Sequence, residues 1–200
     1  MAREKDEAKR QAILRAAKSL FAGKGYNGTS IADLAAAAEL PVGSVYTYFD
    51  NKEAILSAVV DEGWGEFYSD LTAALGTVYS PEQKLGLLVD RVLPSLYSDV
   101  DFIVILLSEG GAVVGLEEKL EQLSSLIGGL ILELSKEKGL SYSLSAEQMK
   151  AALCIFFLGS LNTVRLSRSG GLAVKDVDIQ SFLRTVIEMS FQLKFPDPQS

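Results

Sequence analysis

Apolar residues along this 200-residue chain recur at three- and four-residue spacing, which is the period of an amphipathic α-helix. The first such pattern predicts a helix over about residues 4–22, which Gly23 and Gly25 end. Its apolar positions are Ile13, Leu14, Ala17, Leu20 and Phe21. No stretch alternates between apolar and polar residues as a half-buried strand would. The pattern therefore predicts an all-α fold.

Helix-start signals divide the rest of the chain. Ser30 and Ser80 each precede, by three residues, a side chain that can return a hydrogen bond to the cap. Pro94 predicts a kink in the helix that starts after Ser80. Together with the first helix, these signals predict about nine helices. The other eight are expected from near Ser30, over 42–48, from Asp50 to about 75, from just after Ser80, over 101–109, over 116–138, from Ser145 to about 168, and from Asp178 to about Phe195.

Residues 30–49 combine a short helix, a turn of about four residues and a second short helix, which is the order of a helix-turn-helix. In the second helix, Val45 and Phe49 are predicted to face inward. The other face carries polar but uncharged side chains, namely Ser44, Thr47 and Tyr48. Hydroxyl groups on an exposed N-terminal face suit contacts with phosphates and base edges in a DNA major groove.

Composition narrows the functional classes. Apolar residues make up 48% and charged residues 22%, as in globular proteins. The chain has no histidine, which excludes Ser-His and Cys-His catalytic pairs and histidine metal sites. Carboxylate-only, lysine-based and cofactor enzymes remain compatible with this composition, although we expect no catalytic residue, cofactor or metal. The one cysteine, Cys154, lies in an apolar run and is predicted to be a buried thiol.

We expect no membrane span and a cytoplasmic location. Apolar runs such as Phe102–Leu107 and Leu153–Gly159 contain six and seven residues, whereas a membrane helix needs about 18. The first residues are charged and are not followed by the apolar segment of a secretory signal.

The net charge of −7 is distributed unevenly. Residues 1–52 hold eight basic and six acidic side chains, whereas residues 53–200 hold eleven and twenty. A basic first quarter on an acidic body indicates that this quarter meets a polyanion. Imbalances of this size are also common without a function, so the charge alone leaves both interpretations open.

One region resembles a known family. The motifs are Gly25-Tyr26, the run from Thr29 to Ala35, the run from Gly43 to Phe49, Asn51-Lys52-Glu53 and Ile55-Leu56. Together they resemble the N-terminal domain of the TetR family of bacterial transcriptional regulators, over about residues 10–57. There are two departures: Glu39 stands where the family's turn usually carries glycine, and Pro41 stands where a capping serine is common.

The resemblance implies two sets of DNA contacts. Phosphate contacts fall on Ser30, Tyr46, Tyr48 and Lys52. Base contacts fall on Ala32, Val42, Gly43, Ser44 and Thr47. Core packing is the alternative role for Tyr46. None of the residues on the third helix can form the bidentate arginine–guanine contact, so direct readout would rest on methyl groups and hydroxyls.

The resemblance also implies a helix-turn-helix DNA-binding domain over 1–52 and a helical effector-binding and dimerisation domain over 53–200. In this family, two chains form a homodimer, and the broadly apolar last two helices are the candidate interface, with core packing within one chain as the alternative. The candidate interface residues are Phe156, Phe157, Phe182, Val186, Ile187 and Leu193. Candidates for lining an effector pocket are Trp64, Tyr68, Phe102, Ile105, Asn162 and Arg165, and core packing is the alternative for each.

Two functions are compatible with these patterns. The first is a ligand-responsive repressor that binds a palindromic DNA operator as a dimer and is released by a small, hydrophobic effector. The second is an enzyme or ligand carrier on the same helical scaffold without DNA binding. Salt-dependent DNA binding would distinguish the two, because neutralising phosphates makes affinity fall as salt rises.

Overall fold

The computed structural model describes residues 2–77, 79–109, 115–140 and 145–193, and every regular element in these ranges is helical. The elements are α1 (Ala2–Lys24), α2 (Ile31–Ala37), α3 (Val42–Tyr48), α4 (Lys52–Leu75), α5 (Pro81–Leu87), the π-helical turn π1 (Leu88–Val92), α6 (Leu93–Ser98), α7 (Val100–Glu109), α8 (Leu116–Glu137), α9 (Ala146–Leu153), the π-helical turn π2 (Cys154–Leu158), α10 (Gly159–Arg168) and α11 (Asp176–Phe191). Because α5, π1 and α6 are continuous, and so are α9, π2 and α10, these ranges contain nine helices. The predicted all-α fold is confirmed.

An apolar core joins the first three helices. Its buried side chains are Ile13, Leu14, Ala17 and Phe21 of α1, Leu34 and Ala35 of α2, Val45 of α3, and Phe49 immediately after α3. Ala35 presents only a methyl group, which leaves room for a close crossing of α2 and α3. Burial of these side chains fixes the angle at which α3 is held, because a packed core does not deform continuously.

The turn between α2 and α3 accommodates both departures from the family pattern. Glu39 adopts a left-handed conformation with φ of 57°, and the N–H of Leu40 donates to the carbonyl oxygen of Ala35 over 2.9 Å. This is the usual way in which a helix end closes, and it tolerates a non-glycine residue at some cost in strain. Pro41 precedes α3 without a side-chain cap, because the proline side chain has no hydrogen-bonding atom.

The chain divides into two compact units. Unit 1 comprises residues 1–66 and 101–116, and unit 2 comprises 67–100 and 117–200. The helix-turn-helix lies in unit 1, which also contains most of α7. The functional division predicted at residue 52 falls inside unit 1 and stays a prediction.

Two π-helical turns interrupt otherwise α-helical stretches. The first, π1, directly precedes the helix that contains Pro94, where the sequence predicts a kink. A proline lacks the N–H that bonds to the carbonyl four residues earlier, and its ring crowds that carbonyl, so a wider turn relieves the clash. The second, π2, has no proline to mark it, and the sequence analysis predicts an unbroken helix there.

The last helix differs from its prediction at both ends. It begins at Asp176 rather than at Asp178, whose carboxylate instead accepts a hydrogen bond from the backbone N–H of Lys175 over 3.0 Å. It ends at Phe191, because Gln192 turns left-handed with φ of 54°. The predicted end, Phe195, lies outside the described residues.

The helix Ala146–Arg168 is long and apolar enough to cross a membrane by composition, and 28% of its most apolar window is buried in the structure.

Cys154 is exposed, so the prediction of a buried thiol is wrong. Ile155 and Phe156 are exposed beside it. The apolar side chains of residues 153–159 point to more sides of the helix than the rest of unit 2 packs against, and Cys154 lies on a side that remains exposed.

Candidate nucleic-acid interface and ligand cavity

The outer side of α3 is accessible over its whole length. Val42 is 44% exposed and Tyr46 is 55% exposed, and Gly43 and Thr47 are exposed as well. Ser44 and Tyr48 are half-buried. Val45, on the opposite side, is fully buried. Thus α3 is amphipathic, with an uncharged outer face of the size that a major groove admits.

Ser30 begins α2 through a reciprocal cap. The N–H of Asp33 donates to the Ser30 hydroxyl oxygen over 3.1 Å, and the Ser30 N–H donates to the Asp33 carboxylate over 2.8 Å. The Ser30 hydroxyl also donates to this carboxylate over 2.6 Å. These bonds from the Ser30 hydroxyl and backbone N–H hold the pKa of Asp33 below its usual value. The proton of the Ser30 hydroxyl is therefore engaged in the cap.

Lys52 joins the start of α4 to the turn between α1 and α2. Its ammonium group donates to the carbonyl oxygens of Tyr26 and Thr29 over 2.7 and 2.8 Å. The same nitrogen lies 4.2 Å from the centre of the Tyr26 ring, within the range of a cation–π contact. This bracing role was missed by sequence reasoning, because it depends on residues more than 20 positions apart. One N–H of the ammonium is left over for another acceptor.

Unit 2 contains an apolar cavity of about 520 Å³, which is within the usual range of about 300–1,000 Å³ for ligand pockets. Its walls come from the second half of α4, from α5, π1 and α6, and from α8, α9, π2, α10 and α11. The lining within the described chain has no charged side chain, and its polar members are Ser160 and Ser190. Both π-helical turns contribute to the wall. The cavity suits an uncharged, apolar molecule.

Comparisons with known proteins identify the N-terminal region. The family described as "Bacterial regulatory proteins, tetR family" matches residues 13–59, which contain the helix-turn-helix. The chain is 28% identical over 152 residues to the uncharacterised HTH-type transcriptional regulator YuxN of Bacillus subtilis, covering 76% of this chain and 52% of that one. It is 37% identical over 68 residues to the HTH-type transcriptional repressor DhaR of a Mycobacterium species, covering 34% and 32%. The match therefore spans about half of the first relative and a third of the second.

The N-terminal region, residues 13–59, is thus of the TetR family. The fold agrees along most of the chain: a solved structure of the transcriptional regulator FadR from Bacillus subtilis, in complex with stearoyl-CoA, is 19% identical with a TM-score of 0.70, covering 92% of this chain and 99% of that one. At that identity the likeness concerns the fold.

None of the six predicted effector-pocket residues lines the cavity. Trp64, Phe102 and Ile105 are buried in unit 1. Tyr68, Asn162 and Arg165 are half-buried in unit 2, where the Arg165 guanidinium donates to the Asn162 side-chain oxygen over 2.8 Å. The three residues of unit 1 are core residues there, which is the alternative that the sequence analysis gave for each.

The predicted interface residues divide between the surface and the cavity. Phe156 and Phe182 are exposed, whereas Phe157 is buried and stacks on Phe67 with ring centres 5.5 Å apart. We therefore assign Phe157 to the core. Val186, Ile187 and Leu193 are half-buried, and the first two also line the cavity together with Phe156 and Phe157. Helices α10 and α11 with π2 thus separate the cavity from an exposed apolar face.

Proposed function

We propose that this chain is a ligand-responsive transcriptional repressor of the TetR type, which acts in the cytoplasm. The observation that carries the proposal is the presence of two distinct devices in one chain. An exposed helix-turn-helix lies in unit 1, and an uncharged cavity of about 520 Å³ lies in unit 2. DNA binding by a helix requires no cavity, so the presence of the cavity favours control of DNA binding by a small molecule.

Phosphate contacts come from the ends of the helix-turn-helix. We assign phosphate contacts to Tyr46 and Tyr48 of α3, of which the first is exposed and the second half-buried. The remaining N–H of Lys52 can donate to a phosphate from the same region, while its other two hold the turn. Ser30 contributes through the N-terminal end of α2. Such contacts fix the position of the protein on DNA without reading its sequence.

A second copy of the chain covers the apolar face of unit 2. The large apolar side chains exposed on α11 are Met189, at 76%, Val177, at 61%, and Phe182, at 59%. Ile155 and Phe156 of π2 are also exposed. An exposed apolar surface of this kind marks an interaction site. A two-fold dimer through this face would bind a palindromic operator, with the two copies of α3 about 34 Å apart or a multiple of that distance.

The effector we propose is a small, largely apolar molecule that occupies the cavity. The complex of the Bacillus subtilis relative with stearoyl-CoA is compatible with an acyl chain as the buried part. For such a molecule to release DNA, it must bind the non-binding conformation more tightly, since equal affinity for both conformations shifts no equilibrium. The wall formed by π2 and α11 lies between the cavity and the proposed dimer face, so ligand binding and dimer geometry share these elements.

DNA binding at several salt concentrations tests the proposal. We expect the logarithm of the association constant to fall with the logarithm of salt, with a slope of about −0.9 for each neutralised phosphate. Tyr46→Phe should weaken binding to all sequences, because a phosphate contact carries no sequence information. Tyr79→Phe is the matched control, since Tyr79 is about as exposed but lies in unit 2. A ligand carrier or enzyme on this scaffold would show no salt-dependent DNA binding, and that result would refute the proposal.

A further inference from the structure

The exposed face of α3 lacks the side chains that usually read bases. The helix has the sequence Val-Gly-Ser-Val-Tyr-Thr-Tyr and contains no arginine, lysine, asparagine, glutamine or acidic residue. Bidentate recognition of guanine by arginine or lysine, and of adenine by asparagine or glutamine, is therefore impossible from this helix. If the helix reads sequence, it must do so through the groups that it exposes.

Apart from the Tyr46 ring, which is 55% exposed, the exposed side chains of α3 carry methyl groups, at Val42 and Thr47. The Thr47 hydroxyl donates to the carbonyl oxygen of Gly43 over 3.3 Å, and the methyl group of the same exposed side chain makes no such bond. Val42 is 44% exposed, and Ala32 of α2 is exposed as well. The feature of the major groove that apolar side chains recognise is the C5-methyl group of thymine.

Gly43 has no structural reason to be glycine. It lies in α3 without a positive φ, so its backbone does not require glycine. A Cβ added there would meet no atom of the chain within 4 Å. A glycine inside a helix destabilises it relative to alanine. In a DNA-binding helix, a glycine allows the backbone to approach the DNA closely, whereas a side chain at that position would prevent this approach.

We infer that Ala32, Val42 and Thr47 read thymine methyl groups in each operator half-site, at a close approach that Gly43 permits. This inference rests on the proposed function and goes beyond it, because it states which chemical groups of the operator carry specificity. Methyl contact favours thymine over cytosine and over uracil, which differs from thymine only by that methyl group. Base recognition would therefore depend on contacts with methyl groups and not on hydrogen bonds to base edges.

Replacing thymine by uracil tests the inference directly. Sites are first selected from a randomised duplex library with the full-length protein, and each thymine of the selected half-site is then changed singly to deoxyuridine. We expect about a fourfold loss of affinity at each contacted methyl group, as for removal of one buried methyl group. Unchanged affinity at every position would overturn the inference while leaving the proposed function intact. Failure to select any site would overturn the proposed function and the inference with it.

Two variants of Thr47 separate the methyl group from the hydroxyl. Thr47→Val keeps a methyl group in place and removes the hydroxyl, so it should retain the preference for thymine over uracil. Thr47→Ser keeps the hydroxyl and removes the methyl group, so it should lose that preference at one position of each half-site. The opposite result would show that the hydroxyl carries the readout.

Gly43→Ala tests the close approach, and Gly65→Ala is its matched control. Gly65 is also helical and exposed, and a Cβ there would likewise meet no atom within 4 Å. Both variants should unfold at the same temperature as the wild type or above it, because alanine favours the helix. Gly43→Ala alone should weaken operator binding, by at least tenfold. Wild-type affinity in Gly43→Ala would overturn the close approach.

Discussion

Replacing Phe182 by serine tests whether the exposed face of unit 2 holds two copies of the chain together. Phe182 is 59% exposed on α11 and does not line the cavity. Its removal therefore changes the proposed interface while leaving the cavity wall in place. Val186 is a poorer choice, because it is half-buried and lines the cavity, so a change there would alter both features.

The expected effect follows from the area that Phe182 leaves exposed. A buried aromatic side chain removes roughly 200 Å² from water, so the exposed fraction of Phe182 corresponds to roughly 120 Å². At about 25 cal/mol per Å², full coverage by a partner contributes about 3 kcal/mol in each copy. Two copies contribute about 6 kcal/mol to the free energy of dimerisation, and Phe182→Ser should weaken the dimer by up to roughly ten-thousandfold. Incomplete coverage would reduce this value.

Sedimentation equilibrium over a range of protein concentrations measures the dissociation constant. Leu132→Ser is the matched control, because Leu132 is 49% exposed on α8 and lies outside the proposed face. We expect Leu132→Ser to dissociate as the wild type does, and Phe182→Ser to be monomeric at concentrations where the wild type is dimeric. Circular dichroism should show that both variants remain helical. Equal dissociation constants for Phe182→Ser and the wild type would refute the argument from exposed area.

Three further predictions concern stability measured by urea unfolding. Lys52→Ala should lower the free energy of unfolding by about 2 kcal/mol, because it removes two charge-assisted hydrogen bonds to carbonyl oxygens of the turn. Lys24 is exposed, so Lys24→Ala should change the free energy of unfolding little. Equal effects of the two substitutions would contradict the bracing role of Lys52. Gly63→Ala should lower the free energy of unfolding by about 1–3 kcal/mol, because the added Cβ would lie 2.5 Å from the Phe102 ring. An unchanged free energy of unfolding would show that the ring moves aside. Tyr97→Phe should change the free energy of unfolding little at pH 7, because the buried Tyr97 hydroxyl makes no well-formed hydrogen bond among the described residues, and the nearby Ser160 hydroxyl offsets only part of the effect of burial on its pKa. Burial raises the pKa of Tyr97 above its ordinary value, so the folded state holds this proton to higher pH than the unfolded state. Stability should therefore fall as pH rises above about 10, and Tyr97→Phe should reduce that fall.

Local chemistry explains why much of the helical framework could be predicted. The caps at Ser30, Ser80 and Ser145 form in the structure with the partners that the sequence indicates three residues later. Each cap depends on residues within one helical turn, so no distant contact is needed to establish it. The same holds for the disturbance near Pro94, where π1 forms. The helix-turn-helix was recognisable because its turn and its two apolar faces lie within twenty consecutive residues.

Tertiary packing decided the features that depend on which face of a helix is covered. Around 153–159 and along α11, the sequence shows apolar residues on several sides of each helix. It does not indicate that Phe157 turns inward to Phe67 while Cys154 and Phe182 remain exposed. That choice depends on which other helices pack nearby.

The same physical reason applies to the cavity and to Lys52. The cavity within unit 2 is bounded by residues from Phe67 to Phe191, which are 124 positions apart, and no local sequence pattern specifies the space between them. Lys52 was predicted as a phosphate contact from its motif, but its two bonds to the turn before α2 arise only when distant segments meet. The sequence by itself thus determined the helices and the DNA-binding motif, because both are encoded within a few turns of chain. Only the folded chain decided which side chains face a ligand and which remain exposed for a partner.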